Sequence, residues 1–85
     1  MIQTPIVETT VTSGLSTTAA LADDIVTLTG ITSFFGGDLI KVDEEIMKIS
    51  TVGYGTTNSL LVNREWMGTT LAIHTGGATV TKVTG

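Results

Sequence analysis

Short alternating runs of Thr, Val and Ile, closed by glycine, constrain this chain more than any other feature. β-Branched side chains are stiff at χ1 and pack well on a pleated surface. Strong helix formers occur only in brief patches, and the one proline is Pro5. Glycines end or turn the runs at Gly30, Gly36-Gly37 and Gly76-Gly77. This is the composition of an all-β domain with Gly-rich turns.

The chain of 85 residues is long enough for one domain. A chain of that size buries only about 60–65% of the surface that its unfolded form exposes. Its stability therefore needs help from outside its own core. Disulfides are excluded because there is no Cys, and one His without Cys is too little for an ordinary zinc site. Oligomerisation or docking onto a larger assembly remains. The formal net charge is −4, and the four basic residues, Lys41, Lys48, Arg64 and Lys82, form no run. A nucleic-acid module shows a basic patch, so that partner is not expected. No apolar run approaches the length of a membrane span. Met1 to Thr12 lacks the basic and apolar regions of a signal peptide. The expected site of synthesis and use is a cytoplasm, or a particle assembled there.

Met1 to Ala22 carries a single charge, Glu8. In "PIVETTVTS" an extended chain puts Ile6, Glu8 and Thr10 on one side and Val7, Thr9 and Val11 on the other. Neither side is strongly apolar. Two readings follow: an unstructured terminus, or an arm that adds a strand to a neighbour. In an assembly the arm is the better reading, with Ile2, Ile6, Val7 and Val11 as partner-binding candidates. The expected organisation is an extended N-terminal arm over residues 1–22 and one β domain over residues 23–85.

Within that domain "DIVTLTG" reads as a strand stopped by Gly30. "ITSFFGGD" reads as a connection in which Phe34 or Phe35 plugs the core. "DLIKVDEEIMKIS" has two readings. A short helix would be capped by Asp43, with Glu44 and Glu45 in its first turn. The alternative is a β-hairpin with Ile40 and Val42 inward, a turn at Asp43-Glu44 and a return through Ile46 to Ile49. A helix of two turns is marginal on its own, and both flanks look extended, so the hairpin is preferred. "LLVNRE" sets Leu60, Val62 and Arg64 on one side and Leu61 and Asn63 on the other. "ATVTKV" sets Ala78, Val80 and Lys82 opposite Thr79, Thr81 and Val83. About six short strands result, and a small β-sandwich or a partly open β-barrel would bury one face of each.

Two blocks carry more than composition. The first is "GDLIKVDEEIMKI" and the second is "VNREWMGTTLAIHTGGATV". Together they resemble a small β domain of tailed-phage virion structural proteins. The first block matches at Gly37, Asp38, Val42, Asp43, Glu45, Ile46 and Met47. The second matches at Val62, Arg64, Gly68, Thr69, Thr70, Ala72, His74, Gly77, Ala78 and Val80. The resemblance runs from Leu21 onward, and its second block is the more specific. One position departs: the family pattern has Gly directly after the Arg, and this chain has Glu65. Gly there would permit positive φ, which Glu65 puts in question.

His74, Glu45 and Arg64 together invite an acid/base centre. No Ser or Cys nucleophile sits in a recognisable elbow, so His74 reads as structural. Charged residues inside otherwise apolar strands need partners. Arg64 and Glu45 are the expected pair, in bidentate geometry, with His74 nearby and Gly68 and Thr69 shaping the adjoining turn; the alternative is that both point into water. Asp38, Asp43, Glu44 and Glu45 lack the spacing of a calcium loop. The glycine pairs match no phosphate-binding motif. Trp66 and Met67, beside Gly68, either cap the core or anchor a partner. Phe34 and Phe35 are further anchor candidates.

The resemblance implies a non-enzymatic virion protein without metal or cofactor. The leading expectation is a capsid decoration or cement protein, docking on the major capsid protein and on copies of itself. A trimer would suit threefold sites of an icosahedral shell. The alternative is a tail, neck or baseplate adaptor or a fibre-attachment protein of the same virion class. Nucleic acid, membrane and small-molecule substrates are not expected partners. A small enzyme or carbohydrate-binding module ranks below both, because such modules display several exposed aromatics and this chain has four in all.

Overall fold

The computed structural model describes residues 7–55 and 57–84. Six strands form one antiparallel sheet, with no helix among these residues. They are β1 (Val7–Gly14), β2 (Ile25–Thr27), β3 (Leu39–Val42), β4 (Glu45–Val52), β5 (Ser59–Trp66) and β6 (Thr79–Thr84). Their order across the sheet is β1-β6-β3-β4-β5-β2. The two-sheet sandwich is therefore not the arrangement: backbone pairing runs unbroken through the central strands. The sheet curls instead, and its outer strands approach each other at one end. There Leu15 and Leu28 form an isolated bridge. Ser16 N donates to Thr27 O and Thr29 N to Gly14 O, both at 2.8 Å. The sheet is clasped at this point and is not closed into a barrel.

The hairpin reading of residues 38–50 matches the structure. β3 and β4 pair from Leu39↔Lys48 to Val42↔Glu45 across the turn Asp43-Glu44. Asp43 takes φ 54° there. A short polar side chain tolerates that left-handed conformation better than most residues. The inward sides of the strands supply the core. Leu15, Leu28, Phe34, Ile40, Met47, Ile49, Leu60 and Val80 are all essentially inaccessible. Phe34 thus plugs the core and is corrected as a partner anchor, whereas Phe35 next to it is 63% exposed.

Of the arm expected over residues 1–22, the part from Val7 onward is not free but belongs to the folded sheet. β1 pairs with β6 of its own chain from Val7↔Thr84 to Gly14↔Thr79. Behind it Leu15 and Ala19 are buried in the core. The physical reason is that ladder hydrogen bonds come from the backbone, so a strand without an apolar face can still pair. Its anchoring is supplied by the residues that follow. Val11 is half-buried against the core and Val7 lies exposed at the edge. Ile2 and Ile6 lie outside the described residues.

Candidate functional site

The charged residues of the two sequence blocks meet at one end of the sheet. Glu45 opens β4 directly after the turn, and Arg64 lies on the inward side of β5, in line with Leu60 and Val62. The loop after β5 brings His74 back beneath them. The Arg64 and Glu45 side chains are 6% and 0% exposed, and that of His74 is 0%.

Arg64 grips Glu45 with two parallel bonds, Nε to Oε2 at 2.8 Å and Nη2 to Oε1 at 3.1 Å. Its remaining N–H groups reach backbone carbonyls. Nη1 donates to Ala20 O at 2.9 Å and Asp23 O at 2.6 Å, and Nη2 donates to Ala72 O at 2.8 Å. A guanidinium has five N–H donors, and here each has an acceptor. The Glu45 carboxylate also accepts from Glu65 N at 3.0 Å and from Ala72 N at 3.3 Å. His74 Nε2 lies 2.7 Å from Glu45 Oε1, and its Nδ1 lies 2.8 Å from Asp43 Oδ2. His74 is thus held between two carboxylates with neither ring nitrogen free.

Burial alone would push the Glu45 carboxyl up. The Arg64 hydrogen bonds, the Glu65 backbone N–H, His74 and the Arg64 charge overcome it and hold the pKa at about 2, against an ordinary 4.5. The group stays ionised because every lone pair that loses water gains a donor.

Thr69 and Gly68 shape the turn beside this cluster. Thr69 Oγ1 accepts from Ile46 N at 3.0 Å and donates to Trp66 O at 2.8 Å, joining the start of β4 to the loop. Gly68 has φ 76°. Glu65 has φ 54°, and Met67 has φ 57°. Position 65 thus takes left-handed backbone without the residue that adopts it freely. The bond from Glu65 N to Glu45 contributes to holding it there. The register of β4 and β5 also shifts between Ile46 and Lys48, which puts an extra residue into β5 at this point.

Asp43 also belongs to this cluster, which its reading as a helix cap or a turn residue did not suggest. The tight turn sets Asp43 beside the start of β4, where it and Glu45 share His74, and strand alternation does not announce such a contact. The carbonyls of Ala20, Asp23 and Ala72 carry no side-chain signature and could not be found that way. The same clamp is reinforced from the backbone, where Ala19 and His74 exchange both bonds, at 2.8 and 2.9 Å. Among the candidate anchors, Trp66 is 36% exposed and Met67 is half-buried. Among the described residues, no group of three or more His, Cys, Asp or Glu side chains is arranged to hold a metal ion. No helix of the described residues is long and apolar enough to cross a membrane.

The chain matches no protein-family model, and a search of curated proteins finds no match.

Proposed function

We propose that this chain is a non-enzymatic structural protein of a tailed-phage virion, acting as a capsid decoration or cement protein. The observation that carries the reading is the use made of the residues in the two resembling blocks. Glu45, Arg64, Thr69 and His74 spend their hydrogen-bonding capacity on one another and on loop backbone. That is a scaffold use, in which a buried charge cluster pins residues 20–23 and 72–74 against the sheet. A cement domain needs such rigidity, since each copy adds modest binding energy across subunit joints and many copies act together. The outer edge of β1, with exposed Val7, and the exposed Phe35 and Trp66 are the surfaces offered to the major capsid protein and to further copies.

The test is the copy number of the chain in purified particles, by quantitative mass spectrometry against the major capsid protein. Near-stoichiometric amounts are expected. A few copies per particle would move the protein to a tail, neck or baseplate position, and absence from particles would overturn the virion reading.

A further inference from the structure

A groove of about 390 Å³ runs along β5. Trp66, Asp24, Ser50, Leu61 and Asn63 line it together with Val62 and Arg64. We propose that this groove binds a neutral saccharide, with Trp66 as the platform and Asp24, Ser50 and Asn63 as hydrogen-bonding partners.

Three independent features converge on it. The first is how the aromatic ring is presented. Trp66 lies between Glu65 at φ 54° and Met67 at φ 57°, two non-glycine residues in left-handed backbone. Such conformations are costly and gather at ligand-binding positions. The Lys48 ammonium stands 5.0 Å from the centre of the indole and covers one of its faces, which steadies the ring and restricts a ligand to the other face.

The second is the strand geometry. The register of β4 against β5 shifts twice, between Ile46 and Lys48 and between Ile49 and Thr51. The first shift places the extra residue in β5, next to Trp66. The second makes Ser50 the extra residue of β4. Bulges re-aim side chains, and these two flank the groove from opposite strands. The short β2 leaves the groove open beyond Ile25↔Leu61, while Val62 N donating to Asp24 O at 2.8 Å fixes Asp24 at its rim.

The third is unspent polarity. Among the described residues, the side chains of Asp24, Ser50 and Asn63 have no hydrogen-bond partner, in contrast to the saturated cluster on the inward side. A carboxylate, a hydroxyl and an amide offer acceptors and donors in the mixture that vicinal hydroxyls require. Leu61 and the indole supply the apolar surface on which the C–H face of a sugar ring rests. The one acid and the one base of the lining, Asp24 and Arg64, balance each other, which suits a neutral ligand.

This inference concerns the isolated domain, in which Trp66 is uncovered, because the virion reading offers the same side chain to the capsid protein. The test uses the full chain, whose only Trp is the reporter. Maltotriose and N-acetylated chitotriose are each titrated up to about 20 mM, enough to saturate a millimolar site. Indole fluorescence and ¹H–¹⁵N chemical shifts are followed. The expected result is a saturable change with at least one sugar, with shifts confined to residues around 24, 50 and 61–66. Asp24→Ala and Asn63→Ala keep the reporter and the inward cluster, and each should weaken binding about tenfold, the loss expected for one good hydrogen bond. Phe35→Ala, at an exposed aromatic outside the groove, should leave binding unchanged. Absence of change with both sugars overturns the proposal. So does a blue shift that follows protein concentration without sugar, which would mean that a second copy covers the groove.

Discussion

Arg64–Glu45 and Lys41–Glu8 are both ion pairs between strands of one sheet, yet they contribute in different ways. The first is 2.8 Å long and sealed, with side chains 6% and 0% exposed. The second is 3.3 Å long and wet, with side chains 29% and 58% exposed. Coulomb attraction is present in both. The difference lies in what each would leave behind if broken. Water takes over the partners of Lys41 and Glu8 at once. The Arg64 and Glu45 side chains are nearly closed off from solvent, and Arg64 also serves the loop carbonyls of Asp23 and Ala72. Burial turns an ordinary attraction into an obligation for several segments to stay in place.

The largest expected effect tests that obligation directly. Arg64→Ala takes the charge partner from the buried Glu45 carboxylate and a donor from the carbonyls of Ala20, Asp23 and Ala72, and should cost about 3–5 kcal/mol in chemical denaturation. An unchanged unfolding midpoint would mean that the cluster contributes nothing net. The next effect is acid sensitivity. Glu45 titrates at about 2 in the fold and near 4.5 when unfolded. Its contribution is therefore complete above the unfolded value and is lost as pH falls from 4.5 towards 2. A lowering of that size corresponds to about 3 kcal/mol. Urea midpoints measured across that window should fall steeply in the parent and less steeply in Glu45→Gln. Parallel curves would assign the acid limb to other carboxylates.

A smaller effect is expected at Glu65. Glu65→Gly removes the strain of φ 54° but adds freedom to the unfolded chain, so the net gain should be about 0.5–1 kcal/mol. A rise in melting temperature of a few degrees is the readout. A fall would show that the Glu65 side chain contributes more than its backbone costs. The smallest effect belongs to the wet pair: Lys41→Ala should change stability by less than about 0.5 kcal/mol. A larger loss would erase the contrast between the two pairs.

The same contrast explains what could be read beforehand. The alternation in β5 put Leu60, Val62 and Arg64 on one side, and a charge among apolar neighbours announces the need for a partner. Glu45 was the matching carboxylate because it starts the return strand of a hairpin whose turn is legible at Asp43-Glu44. What stayed hidden was carried by backbone. β1 looked like a free arm because its side chains are polar on both sides, but ladder bonds do not register side-chain polarity. Adjacent Phe34 and Phe35 sit in an irregular connection where no period assigns one of them inward. The choice between sandwich and curled sheet depended on the pairing of β1 with β6 and on the Leu15↔Leu28 clasp, both contacts between distant parts of the chain.

The place of β6 has a consequence for synthesis. β6 is the last of the six strands to be made, yet it lies between β1 and β3 and pairs with both. While a ribosome is still adding residues 79–84, β1 has only the short clasp at Gly14 and Leu15 and β3 has only one neighbour. The emerging chain can form the β3–β4–β5 meander early, but β1 must wait until β6 is made. Long-range pairings of this kind slow folding. This domain is therefore built to complete itself in one late step, when its two most distant strands meet.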